Sequence, residues 1–175
     1  MTLGIRQLEA ANFDACRQGL ISLLIDAVAD GASVGFLADI DSQQADAYFA
    51  EVHRALASGA LAIWVAEEDG RVLGSVQLSL CLKPNGLNRG EVQKLLVLSS
   101  ARRRGIARLL MEQLEAHAEQ LQRGLLYLDT EAGSEAEHLY RALGYTCIGG
   151  LPDYACGPGG QYRANAIYYK TLLRP

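Results

Sequence analysis

The run VQKLLVLSSARRRGIARLLM, Val92 to Met111, constrains the fold more than any other stretch of the chain. It sets a hydrophobic strand, a short turn and a helix in direct succession. Ile106, Leu109, Leu110, Leu114, Ala118 and Leu121 are predicted on one face of that helix, which starts at Gly105. Arg102, Arg103 and Arg104 fall at or just before its first turn. A helix dipole disfavours cations at its N-terminus by roughly 0.3–1 kcal/mol each. The arrangement makes sense around an anion, which free backbone N–H groups and arginine side chains can both reach. Gly105 and Ala107 keep side-chain bulk out of the space such a ligand needs. The anion implied is a pyrophosphate. A solvated basic turn before a routine helix is the alternative that charge alone leaves open.

The rest of the chain reads as alternating strands and amphipathic helices. Ile5–Leu8 is a candidate opening strand, and Asn12 or Asp14 caps a helix through Ala29 with Phe13, Leu20, Leu23, Leu24 and Val28 on its apolar face. Gly31 to Phe36 is a loop, and Asp41 or Ser42 begins a second helix ending near Gly59. Ala60–Glu67 and Val72–Leu80 read as strands joined by a hairpin turn at Glu68-Asp69-Gly70. Lys83–Asn88 is a loop before a strand from Glu91 to Leu98. Leu125–Asp129 is a strand, Ser134 caps a helix to about Leu143, and Tyr145–Ile148 is another strand. A glycine-rich loop leads to a last strand near Ala166–Leu172. With 175 residues and no repeat or linker, a single mixed α/β domain over 1–175 is expected.

Composition removes several classes of function. The formal net charge of −4 argues against a general nucleic-acid binder. The longest apolar run, Ala60–Ala66, is far short of the roughly 20 residues of a membrane span, and no signal region opens the chain. Cys16, Cys81, Cys147 and Cys156 form no C-x-x-C pair and have no local histidine partners, so no metal and no disulfide framework is expected. Reduced, mostly buried thiols in a cytoplasmic protein are the expectation. The phosphate-loop, dinucleotide, zinc-protease and serine-hydrolase motifs are all missing. His53, His117 and His138 lie on helical stretches among polar neighbours and read as surface residues.

Arg102-Arg103-Arg104-Gly105-Ile106-Ala107 matches the [QR]-x-x-G-x-[GA] signature of the GNAT acetyltransferase superfamily, in the same strand-and-helix context. Leu139-Tyr140 followed by Leu143-Gly144-Tyr145 resembles that family's next motif. GASVGF (31–36), QLSLCLKPNGLNR (77–89), EVQKL (91–95), LDTEAGS (128–134) and AIYYKTL (166–172) are similar to acetyltransferases of the tabtoxin-resistance type. The resemblance covers nearly the whole chain. It implies a mixed, mostly antiparallel sheet flanked by helices, with a cofactor cleft between two central strands. It also implies acetyl-CoA as co-substrate, a small amine as acceptor, and an N-acetyltransferase with a role in antibiotic or toxin resistance. Homodimers are frequent in the superfamily. A protein acetyltransferase and a non-catalytic acetyl-CoA sensor are the rival readings.

By the same resemblance, the amides of Arg102, Arg103, Arg104, Gly105, Ile106 and Ala107 hold the pyrophosphate. Leu96, Val97 and Leu98 pair with the pantetheine arm through their backbone, as an added strand would. Tyr140 is placed as the acid facing the leaving thiolate; from the residues alone it reads first as a core aromatic of the helix with Ala136, Leu139 and Leu143. Glu91 and Asp129 are the candidate bases, acting directly or through a water, which requires burial to raise a carboxylate toward the ammonium. Two positions depart from the family pattern, Ser99 for the usual proline and Gly133 for a pantetheine-contacting Asn, and Ala107 stands where acetyltransferases of the tabtoxin-resistance type have glycine. Ser134 or the amides of its turn are the candidate replacements for that Asn. Gly31–Asp39, Lys83–Asn88 and Gly149–Tyr162 are expected to wall the acceptor pocket.

Overall fold

The computed structural model describes residues 2–173, and its elements follow one another as strands and helices in mixed order. They are β1 (Gly4–Gln7), α1 (Phe13–Ala29), α2 (Ser42–Ala57), β2 (Leu61–Glu68), β3 (Arg71–Leu80), β4 (Arg89–Val97), α3 (Ile106–Gln120), β5 (Leu125–Glu131), α4 (Ala136–Ala142), β6 (Thr146–Gly149), β7 (Ala155–Cys156), β8 (Tyr162–Arg163) and β9 (Asn165–Thr171). Seven strands form one sheet in the order β1-β2-β3-β4-β5-β9-β6. Every neighbouring pair is antiparallel except β4 with β5. The expected fold class is the one observed.

Local signals set the boundaries where they are strong. The β2–β3 hairpin turns through Asp69 and Gly70, both at positive φ (51° and 76°), which is the turn an Asp-Gly pair favours. Asp41 caps α2 with a reciprocal box: its Oδ1 accepts the Gln44 N–H at 2.8 Å, and Gln44 Oε1 accepts the Asp41 N–H at 3.1 Å. The predicted cap at Ser134 does not form. Helix α4 starts at Ala136 after Glu135, and the Ser134 hydroxyl instead lies 3.3 Å from Thr130 Oγ1. The glycine-rich stretch carries a small β7–β8 hairpin that its loop-like composition hides.

The core is built on both faces of the sheet. Leu61 to Ala66 of β2 are all buried, which explains their unbroken apolar run. Phe13, Leu20, Leu23, Leu24 and Val28 of α1 are buried as predicted. On α3 the buried set is Ile106, Leu110, Met111, Leu114 and Ala118, whereas Leu109 and Leu121 are exposed. Met111 takes the place expected of Leu109, because helix α3 packs on β2, β3 and β4 with the 106/110/114/118 stripe flanked by 111. Tyr168 and Lys170 of β9 point to the same face, where they meet Glu137 of α4 and Glu115 of α3. Helices α3 and α4 therefore share a face, opposite α1 and α2.

No helix of the described residues is long and apolar enough to cross a membrane. All four cysteines are free, but only Cys16 is buried; Cys147 is exposed and the other two are intermediate. The expectation of mostly buried thiols is corrected accordingly.

Candidate active site

Strands β4 and β5 pair only at their starts, Arg89 with Leu125, Gly90 with Leu126 and Glu91 with Tyr127. Beyond that point β5 stays on β9 and β4 stays on β3. A bulge in β4 is the local cause. Its register with β3 slips between Gln77↔Gln93 and Ser75↔Leu96, and Lys94 takes the extra residue at φ 50°. A bulge bends and over-twists its strand, so β4 swings off β5 and leaves two unpaired backbone edges facing each other. Between them lies a cleft of about 610 Å³. Its walls include residues 91–96 of β4, Asp129–Glu131 of β5, Tyr48 of α2 and Tyr140 of α4.

Past the end of β4, the chain makes the turn on which the sequence reading rested. Arg103 and Gly105 both adopt positive φ (62° and 77°), and Gly105 is the N-cap of α3 with no side-chain cap. Among the described residues, the N–H groups from Arg102 to Arg108 find no backbone acceptor outside the helix. Unmet donors at a helix start, in the field of the helix dipole, are an anion site. The arginine side chains behave differently from the expectation. Arg102 pairs with Asp30, Arg103 with Glu135 at 3.0 Å, Arg104 with Glu68 at 2.7 Å and Arg108 with Glu112 at 4.0 Å. Backbone amides, rather than unopposed arginine charge, are what this turn offers to a pyrophosphate.

Ser99, where the family pattern has proline, has its own reason. Its N–H and Oγ donate to the two carboxylate oxygens of Asp26 at 2.7 and 2.8 Å. A proline could supply neither donor. Leu98 departs from its predicted role: its N–H donates to Leu73 O at 2.8 Å and its carbonyl accepts from Ala101 at 2.9 Å. Its backbone is thus engaged within the protein, and the open strand edge ends at Val97. Leu96 and Leu98 are buried among the core residues, with Val97 half-buried between them.

Tyr140 is only 6% exposed, yet it reaches the cleft wall, and its ring packs edge-on to Tyr145 with centroids 5.8 Å apart. Burial, reinforced by the charge of Asp129, pushes its phenol well above the ordinary value. It is thus held protonated, as a donor. Glu91 and Asp129 both line the same cleft. The burial a carboxylate base would need is not there: Asp129 is exposed and Glu91 half-buried. Asp129 receives a bond of 3.4 Å from Asn165 Nδ2. Around Gly133 two turn amides are already used, Gly133 N–H by Glu137 at 2.6 Å and Ser134 N–H by Glu131 O at 3.2 Å. Among the described residues the Glu135 and Ala136 N–H groups find no acceptor, so these amides and the Ser134 hydroxyl are the groups available there.

Of the expected pocket walls, residues 31–35 and part of the 149–162 stretch line the cleft, while Lys83–Asn88 does not. Asn88 is tied to Gly124 and Leu125, at the end where β4 and β5 are still paired. The histidines lie away from the cleft, but two are not plain surface residues. His53 stacks on Phe13 at 4.7 Å, and His117 packs edge-on to Trp64, where burial lowers its basicity. Sequence reasoning missed Lys94, Tyr48 and Asn165. For Lys94 a signal existed: a lysine interrupts the apolar run of β4.

The cleft thus lies in a mostly antiparallel sheet, opened between its two parallel strands and followed by a helix start with free amides. A sequence model of the acetyltransferase (GNAT) family matches residues 25–145, and the chain belongs to that family. Acetyl-CoA is the acyl donor of such enzymes. The fold is shared with an N-acetyltransferase of Staphylococcus aureus Mu50 (22% identity, 99% of this chain and 100% of that one, TM-score 0.79). It is shared also with a ribosomal-protein-alanine N-acetyltransferase of Brucella melitensis (24%, 97% and 99%, TM-score 0.77). The yncA protein of Salmonella typhimurium, solved with its cofactor acetyl-CoA, is 17% identical over 100% of this chain and 96% of that one, with a TM-score of 0.76.

Proposed function

We propose that residues 1–175 form one N-acetyltransferase domain that moves an acetyl group from acetyl-CoA to the amine of a small, amino-acid-like acceptor. Transfer is direct, with both substrates bound together. Bound acetyl-CoA supplies the acetyl group as a thioester. The amides of Arg102–Ala107 hold its pyrophosphate, the open edge of Leu96 and Val97 aligns its arm, and the hydroxyl of Ser134, next to Gly133, makes the contact that the family's Asn makes from the Gly133 position. Glu91 and Asp129 draw the acceptor ammonium into the cleft, and its proton leaves by way of water, since neither carboxylate is buried enough to take it directly. The buried Tyr140 hydroxyl gives a proton to the sulfur as the C–S bond breaks and the new C–N bond forms.

One observation carries the choice of a small acceptor. The loop at 31–38 is tied across to the β7–β8 region, Ala38 N–H to Pro158 O at 3.0 Å and Ser33 Oγ to Cys156 O at 3.5 Å. These bonds hold in place the 31–35 loop that lines the cleft, which supports a small acceptor over a polypeptide. The similarity of residues 77–89, 91–95 and 128–134 to tabtoxin-resistance acetyltransferases supports an amino-acid-like antimetabolite as that acceptor.

Titration calorimetry with acetyl-CoA, followed by a thiol-release screen of small amines and of peptide N-termini, tests this reading. Binding in the micromolar range and turnover with small amines are expected. No binding up to about 1 mM, which is about −4 kcal/mol, or turnover with peptides alone, would overturn it.

A further inference from the structure

Lys94 has no role in the reaction described above, and its surroundings are unusual. It occupies the bulge of β4 at φ 50° and lines the cleft together with Glu91 and Asp129. Its ammonium lies 5.8 Å from the centroid of the Tyr48 ring. That ring is itself fixed by a hydrogen bond of 3.2 Å from its hydroxyl to the buried Gln77. The backbone of Gly35 passes so close that a Cβ there would stand 3.8 Å from Lys94 Nζ. Lys170, by contrast, is paired with Glu115 at 2.6 Å. No such ion pair forms at Lys94 among the described residues. Burial pulls its ammonium below the usual lysine value, against the opposing charges of Asp129 and Glu91. A half-buried cation without a hydrogen-bonded partner is costly, and a ligand anion relieves that cost.

A second feature lies in the loop above it. The N–H groups of Gly31 and Ala32 close the end of α1, but those of Ser33, Val34 and Gly35 find no acceptor among the described residues. The same loop residues line the cleft. The Lys94 ammonium and a run of free loop amides, together with Glu91 on the same strand and Asp129 on β5, put groups of two opposite signs around one cleft.

We infer that Lys94 anchors the carboxylate of the acceptor, so that the enzyme selects amines carrying an anionic group and turns their ammonium toward Glu91 and Asp129. The inference rests on the acetyltransferase reading for the acceptor's position, and adds to it the acceptor's charge and the residue that selects it. A neutral or purely cationic amine leaves Lys94 unpaired, so the same residue rejects what it does not hold.

The test compares L-amino acids with their α-amides in the thiol-release assay, using the wild-type enzyme, Lys94→Met and Lys94→Arg. Methionine keeps an unbranched stem beside Tyr48 and removes only the charge. Wild type should prefer the amino acids. Lys94→Met should lose about 30- to 1,000-fold in kcat/KM on them, with the amides changed by less than about threefold, and Lys94→Arg should retain most of the preference. Comparing each acceptor between variants cancels the difference in basicity between an amino acid and its amide. Equal losses on both acceptors, or a wild-type enzyme that acetylates amides and simple amines as well as amino acids, would overturn the role of Lys94 while leaving the acetyltransferase reading intact. Calorimetry of the same amino acids with the acetyl-CoA-saturated protein separates the two ideas. Lys94-dependent binding without thiol release sinks the catalytic reading alone, and absence of any amino-acid binding sinks the anchor.

Discussion

Tyr140 shows how one side chain can belong to the core and to the reaction. Its ring is packed between Tyr145 and Tyr168, while the residue still borders the cleft. The two readings that its sequence context left open are therefore compatible. Tyr140→Phe keeps the packing and removes the acid. Its kcat should fall by about 100-fold or more, with acetyl-CoA affinity changed by less than about twofold; unchanged turnover would remove Tyr140 from the mechanism. Burial raises this phenol above its ordinary value of about 10. It therefore stays protonated below that pH, and its ionisation should produce no loss of kcat up to about pH 10. An alkaline limb near pH 8 that disappears in Tyr140→Phe would contradict this. Tyr140 could be picked out by its place in a motif. Asn165 could not, because its contact with Asp129 spans 36 residues of chain.

At the scale of elements, helix α1 acts as a brace for the cofactor turn. Asp26 and Asp30, one helical turn apart, hold Ser99 and Arg102 respectively. The strand, turn and helix at Val92–Met111 are legible in the sequence because each is set by its own residues: an apolar run, a left-handed glycine and a 3.6-residue stripe. The brace is not legible, since Asp26 and Ser99 lie 73 residues apart. Asp26→Ala removes the acceptor of both Ser99 bonds and loosens the start of the turn. We expect acetyl-CoA affinity to fall about tenfold, roughly 1.4 kcal/mol, with kcat at saturation nearly unchanged. Calorimetry and initial rates measure the two separately, and an unaltered dissociation constant would show that the brace is dispensable. The bulge in β4 belongs to this scale as well. Alternating or continuous apolarity predicts a strand, but an extra residue in one strand is defined only against its partner.

For the molecule as a whole, Glu137 joins the last third of the chain to the sheet. Its carboxylate accepts from the buried Tyr168 hydroxyl of β9, from Gly133 N–H at 2.6 Å and from Arg141 at 3.2 Å. The Tyr168 bond, the Gly133 amide and the Arg141 charge hold this carboxyl below the usual range, against burial. A carboxyl lowered by folding stabilises the protein above its unfolded value, about 4.3, and that contribution is lost as pH falls through the folded one. Glu137→Gln should lower stability by about 2 kcal/mol at pH 7, read from urea midpoints. The gap to wild type should close as the pH drops below 4. A gap independent of pH would mean that shape, not charge, does the work. By itself the sequence determined the mixed α/β class, most element positions, the hairpin turn at Glu68-Asp69-Gly70, a second helix beginning at Asp41 or Ser42 and the family signature, because each depends on residues within a few positions of one another. Only the tertiary structure decided that the arginines of the turn are matched by acids, that Leu98 is engaged within the protein, and that Lys94, Glu91 and Asp129 line one cleft. Those outcomes depend on where β4 leaves β5, and strand separation follows from the packing of segments remote in sequence rather than from any local pattern.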